Sequence, residues 1–132
     1  MGYCEVPHTA DLALSVWAKD IPGLFLEAVR GMAALMELKM EPGQYSTREF
    51  TLAAQDVESL LVAFLSEVLY WMETDQAGYL DIEIRMENLH LSACLVGNPI
   101  KEQSRQIKAV TFHNLAIQHT ERGLETVIVF DV

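Results

Sequence analysis

The sequence is short of positive charge, of cysteine and of long apolar runs, and each shortage narrows what the chain can do. Nine lysines and arginines stand against nineteen acidic residues, for a net charge of −10. Proteins that hold nucleic acid through its backbone need Lys and Arg to replace condensed counterions, so direct high-affinity nucleic-acid binding is not expected. An acidic field favours cations and basic protein surfaces. The two cysteines, Cys4 and Cys94, are far apart and have no CxxC spacing. Without a secretory leader they are expected to be reduced, buried thiols. No stretch reaches the roughly 18 apolar residues of a membrane span. The opening "MGYCEVPHTADL" has neither a basic n-region nor an apolar h-region, and "MGYCEV" lacks the Ser or Thr of a myristoylation signal. No membrane contact is expected, and the cytoplasm is the expected compartment. Phosphate-cradling glycine loops, a GxSxG elbow, HExxH and Cys/His zinc spacings are all missing.

What remains is a well-patterned globular chain. Its 132 residues are enough for one core, and a single domain over 1–132 is expected. "LALSVWA" at 12–18 sets Leu12, Leu14 and Val16 on one face, which reads as a strand. Asp20 offers an N-cap, Pro22 sits where its missing N–H costs nothing, and Leu24, Phe25, Ala28, Val29, Met32, Leu35 and Met36 recur at helical spacing. "EPGQ" at 41–44 ends that pattern, and "YSTREFTLAA" resumes as a strand. Asp56 caps a second helix with Glu58 in its first turn, and Leu60, Leu61, Phe64, Leu65, Val68, Leu69 and Met72 form its stripe. After Gly78 the period becomes two. Leu80, Ile82, Ile84 and Met86, then Leu89, Leu91, Ala93 and Leu95, alternate with polar positions, as in a meander with one wet face. "GNPIKEQSRQ" at 97–106 reads as a polar loop before "IKAVTFHNLAIQHT" and the final "LETVIVFDV". Two helices are too few for parallel βαβ units. The expected class is α+β, with two helices packed on one face of a largely antiparallel sheet.

Three places carry candidate chemistry. His8, Thr9 and Asp11 crowd the approach to the first apolar strand. They suit ordinary turn chemistry, or a carboxylate held at a strand edge for a cation. Lys108 precedes an apolar alternation of Ala109, Val110 and Phe112; it reads as a solvated edge guard or as a fixed positive charge beside carboxylates. His113 belongs on the other side unless a bulge near Asn114 shifts the phase. His90 and His119 are expected in solvent. Asp131 interrupts the apolar end "VIVFDV", sharing a face with Val127 and Val129; it is a solvated chain end, or a carboxylate at the rim of the core if that face is buried. Were the last strand to end beside the start of the first, Asp11, Asp131 and the Val132 carboxylate would converge and need compensation. Ca²⁺ or Mg²⁺ suits such an all-oxygen set better than zinc.

"HTADLAL" at 8–14, "IKAVTFH" at 107–113 and "VIVFDV" at 127–132 jointly resemble the signature blocks of the archease family, and "DVESLLVAFLSEVLY" at 56–70 resembles its second helix. The likeness spans nearly the whole chain in order. It implies a small cytoplasmic α+β accessory protein that is not itself an enzyme. Its partner would be an RtcB-type RNA ligase of tRNA splicing, whose guanylylation by GTP and repeated turnover it promotes; GTP would be used by the ligase. The resemblance places metal ligands at Asp11, Asp131 and Val132 and the functional lysine at Lys108, with His8 and His113 on motif positions in no assigned role. Gly97-Asn98 stands where family members have Gly-Glu, and "KEQSRQ" lacks the family's loop histidine. Alternatives are an independent metal-dependent hydrolase, which would need a cleft and a base beside the metal, and a scaffold with merely solvated carboxylates.

Overall fold

Two aspartates start the two helices. In the computed structural model, which describes residues 1–6 and 11–132, the Asp20 carboxylate accepts the Gly23 N–H at 2.8 Å and opens α1, Ile21–Met36. The Asp56 carboxylate accepts the Ser59 N–H at 2.7 Å and opens α2, Val57–Asp75. Each satisfies an amide the helix cannot bond internally. Both helices end on a left-handed residue, Glu37 and Gln76. The last carbonyls of α1 gain further donors where the N–H groups of Ser104 and Arg105 both reach Met36 O at 3.2 Å.

Among the described residues nine strands accompany them: β1 Gly2–Val6, β2 Leu12–Ala18, β3 Lys39–Met40, β4 Ser46–Ala53, β5 Ala77–Glu87, β6 His90–Glu102, β7 Ala109–Val110, β8 Gln118–Thr120 and β9 Gly123–Asp131. All their pairings are antiparallel. The expected α+β class with two helices and antiparallel sheet is what forms, but the strands divide into two sheets. One runs β1-β2-β9-β7, with β8 also on β9; the other has β6 between β4 and β5, with β3 on its far end. α1 lies mainly on β1 and β2, α2 on β4 and β5, and the helices touch each other. A single apolar cluster joins Leu14, Val16, Phe25, Met32, Phe64, Leu95, Ile128 and Phe130 across both sheets and both helices.

Period two is obeyed most clearly on β5 and β6. Leu91, Ala93 and Leu95 are buried while Asp81, Glu83, Arg85 and Glu87 are exposed. Three expectations fail. The polar segment 97–106 is not all loop, because β6 continues to Glu102 and Ile100 N bonds Gln76 O at 2.8 Å; pairing with β3 and β5 satisfies its main chain despite its polarity. "IKAVTFHNLAIQHT" is mostly irregular, with strand only at β7 and β8. The cysteines are free but not buried: Cys4 is exposed on edge strand β1, and Cys94 is half-exposed on the wet face of β6.

β5 carries a bulge between Gly78 and Asp81, opposite Gly97. There the two strands approach so closely that a Cβ on Gly97 would collide with the carbonyl oxygen of Gly78. Backbone cannot swing away as a side chain can. Gly97→Ala should therefore lower Tm by about 5 °C in a thermal melt; an unchanged Tm would show that the bulge relaxes freely.

Candidate functional site

The register of β9 decides which of the candidate residues meet. Leu12 of β2 pairs with Phe130 of β9 and the ladder ends there, with Asp11 the residue before β2 and Asp131 the last residue of β9. On the other side of β9, Ala109 of β7 pairs with Asp131 and Val110 with Phe130. The Lys108 N–H reaches Asp131 O at 2.8 Å, and the Thr111 N–H reaches Val129 O at 3.0 Å. Asp131 thus stands on a rung shared with β7, one step past the last β2–β9 pair. Directly opposed residues in antiparallel strands have Cα atoms about 4.5–5.5 Å apart and side chains on one face. Ala109 and Asp131 are such a pair; Asp11 precedes β2 and Lys108 precedes β7, and by period two Lys108 belongs to the face opposite that of Asp131. Lys108, Asp131 and Val132 are exposed and Asp11 is half-buried.

Leu124, Thr126, Ile128 and Phe130 form the side of β9 that belongs to the main core, and on the other side Val127 is 42% exposed while Val129 is buried at 5%. Asp131 follows Val129 on that second side, exposed at the end of the strand. The same alternation fails beyond β7. Val110 is buried, but Phe112 is 57% exposed because the chain leaves the strand at Thr111 and turns, with Leu115 N bonding Phe112 O at 3.1 Å. Asn114 adopts a left-handed φ of 51° in that turn, at the residue where a break in phase is expected. His113 lies in the turn, its N–H on Thr111 Oγ1 at 3.3 Å, and is not on the rung. His90 and His119 are exposed. His8 and Thr9 lie outside the described residues.

The rung is well supported. Thr126 Oγ1 donates to Ala116 O at 2.9 Å, and the Glu58 carboxylate at the start of α2 accepts the Ile117 N–H at 3.1 Å. The chain between β7 and β8 is therefore tied to both β9 and α2. Among the described residues no three His, Cys, Asp or Glu side chains come together as a metal cage. The resemblance's set, Asp11, Asp131 and Val132, offers oxygen donors only. That donor chemistry fits a hard, oxygen-seeking cation and does not fit zinc. An open groove of about 560 Å³ lies elsewhere, on the wet face of β4, β5 and β6 between Glu49, Glu83, Arg85 and Cys94.

The model of the Archease protein family (MTH1598/TM1083) matches residues 3–132. The chain belongs to the archease family. The protein archease of Methanosarcina barkeri is 32% identical to it, over 98% of this chain and 95% of that one. A probable protein archease of Mycobacterium tuberculosis is 28% identical over 99% of this chain and 75% of that one. The crystal structure of an archease, described as a possible chaperone, from Thermotoga maritima superposes with a TM-score of 0.72 at 20% identity, covering 96% of this chain and 94% of that one. The solution structure of Methanobacterium thermoautotrophicum protein 1598 gives 0.70 at 22% identity, over 99% of both. Those two structures share this archease's fold. No helix among its described residues is long and apolar enough to cross a membrane.

One constellation in this archease was not expected from its sequence. Arg48 of β4 makes two hydrogen bonds to the Asp75 carboxylate, at 2.7 and 2.8 Å. The buried Tyr79 hydroxyl donates to the same carboxylate at 2.6 Å, and the guanidinium stacks 4.0 Å from the Trp71 ring centroid. The Arg48 bonds, with Tyr79, hold the Asp75 carboxyl down at about 2. Burial, reinforced by Asp75, pushes Tyr79 up to about 12. The group fastens the end of α2 to β4 and β5, and it stands apart from the β9 rung. Single residues of three separate elements give no local sequence signal for it.

Proposed function

We propose that this archease is a non-catalytic accessory protein that activates an RtcB-type RNA ligase in tRNA splicing or RNA repair, promoting the ligase's GTP-dependent guanylylation and its multiple turnover. The observation that supports the reading is the end of β9, where Phe130 pairs with Leu12, the residue after Asp11, and the Asp131 carbonyl accepts the Lys108 N–H at 2.8 Å. Family membership supports an accessory role, and the Thermotoga relative is itself described as a possible chaperone. The net charge of −10 supports a basic protein partner over direct RNA binding.

Asp11 and Asp131, with an oxygen of Val132, are assigned as the residues that would hold a divalent cation, Ca²⁺ or Mg²⁺. The cation would supply compensation for two apposed carboxylates and a positive charge for a phosphate-bearing site. Lys108 supplies a second positive charge from the protein itself, set by its main-chain bond to Asp131. The chemistry is assigned to the ligase, which consumes the GTP. An independent hydrolase would want a cleft at the carboxylates, and the 560 Å³ groove is on the other sheet.

The test is ligase guanylylation under multiple turnover with and without the protein. Wild-type protein should raise the rate and show no ligation alone. Lys108→Ala should lower that stimulation by about tenfold, the size of one charged contact at a partner surface, with Tm unchanged because Lys108 is exposed. A competent cognate ligase that ignores the wild-type protein sinks the reading.

A further inference from the structure

We propose that β5 is a pairing edge for a second copy of this chain, so that two molecules join their β4-β6-β5 sheets through an antiparallel β5–β5 ladder centred on Ile84. The inference is independent of the ligase reading. Among the described residues β5 is bonded on one side only, to β6, in an unbroken register from Asp81–Val96 to Glu87–His90. Its outer edge presents a row of main-chain N–H and C=O groups to solvent, and another extended strand completes such a row. One face of that edge is apolar. Ile82, Ile84 and Met86 pack against the core yet are only half-buried, at the period of two that an added strand matches. On the other face Asp81, Glu83, Arg85 and Glu87 are exposed. Among the described residues none of these four is in an ion pair, and the β6 residues opposite Glu83 and Arg85 are the uncharged Cys94 and Ser92.

The order of charges along the strand identifies the occupant. A two-fold pairing of the regular stretch Asp81–Glu87 centres on its middle residue, Ile84, and in such a contact residue i meets j wherever j meets i. Ile84 then faces Ile84 of the second copy, Ile82 faces Met86, and Glu83 faces Arg85, the last two pairings occurring twice. Directly opposed apolar pairs and opposite charges each stabilise an antiparallel ladder. The ends oppose this, since Asp81 faces Glu87, and like charges directly opposite are destabilising. A contact one strand edge long is also smaller than the standard interface of about 1,600 Å². The dimer is accordingly weak, with a Kd of about 10–100 µM. β4, on the far side of β6, has no such match to itself. Glu49 is the one exposed charge of Ser46–Ala53, and no two-fold register sets a positive charge against it. Asp131 and β9 belong to the other sheet, so the pairing leaves that end of the molecule open.

Sedimentation equilibrium from about 5 µM to about 1 mM, a range that spans this Kd, tests the pairing, with a thermal melt of every variant. Wild type should pass from monomer to dimer across the range. Arg85→Glu sets like charges opposite each other twice and should weaken Kd by about tenfold or more. Adding Glu83→Arg to it restores opposite charges and should bring Kd back to within about threefold of wild type. Glu87→Lys turns both end repulsions into attractions and should tighten Kd by about tenfold. Glu49→Arg, on the same wet face but on β4, should leave Kd within about twofold. The melts should agree, since all four side chains are exposed. Wild type that stays monomeric throughout overturns the inference; if Arg85→Glu then also lowers ligase stimulation, the edge takes a partner's strand instead. A dimer that Arg85→Glu leaves intact overturns it as well. So does a folded double variant that stays monomeric, or a dimer lost in Glu49→Arg.

Discussion

Asp131→Asn is expected to leave the domain folded and to reduce stimulation of ligase guanylylation by about 10- to 100-fold, the range seen when a group supporting a metal site is lost. The fold should survive because Asp131 contributes its main chain to the sheet and its side chain to the solvent. The Lys108 N–H bonds its carbonyl, the side chain is exposed, and asparagine keeps the shape while removing the charge. Asp11→Asn should have an effect of similar size if both carboxylates hold the cation, as proposed. If the two carboxylates act as one unit, the double variant should lose little more than either single one. An independent readout separates cation binding from activation. Wild-type Tm should rise with Ca²⁺ or Mg²⁺ by mass action on the folded state, and Asp131→Asn should not respond. Stimulation by both single variants at the wild-type level would sink the assignment.

Much of the fold was legible because period and caps agree with burial. Asp20 and Asp56 accept the amide bonds their positions imply, and the alternation of Ile82, Ile84, Leu91, Ala93 and Leu95 marks the core side of β5 and β6. What was illegible is set by tertiary pairing. Residues 97–102 are polar yet join a strand, because β3 and β5 supply partners that pattern cannot reveal. β1, whose "GYCEV" has no clear alternation, exists because β2 offers a free edge. At the candidate site, Asp11, Lys108, Asp131 and Val132 were named through the three motif blocks. The Leu12–Phe130 pairing that brings the first and last blocks to one end of the sheet joins residues more than a hundred positions apart. Which face Asp131 takes was decided by Ile128 and Phe130 turning inward, and the alternation read from "VIVFDV" fits either face equally well. Phe112 defeated the alternation for a local reason, since Thr111 binds Val129 and stops the strand there.

The Arg48–Asp75–Tyr79 group carries the largest stability effect expected from one side chain. Asp75→Asn should lower Tm by about 10 °C at neutral pH, as when a largely buried ion pair loses one partner. The side chain of Asp75 is 14% exposed and that of Arg48 40%, so the loss falls mainly on the Asp75 end. There the Tyr79 hydroxyl, buried in the core, would keep only a neutral acceptor. The pH dependence gives the distinguishing signature. Asp75 titrates at about 2 in the folded protein, below its ordinary 3.8, so its contribution is complete above about pH 4 and is lost as pH falls toward 2. Tyr79 titrates near 12 in the fold against 10 ordinarily, so its contribution holds below about pH 10 and disappears as pH rises toward 12. The wild-type advantage over Asp75→Asn in thermal melts should therefore form a plateau between about pH 4 and 10 and shrink at the acid end. A gap that persists undiminished at pH 2 would mean that the Asp75 carboxylate is not what holds α2 to β4.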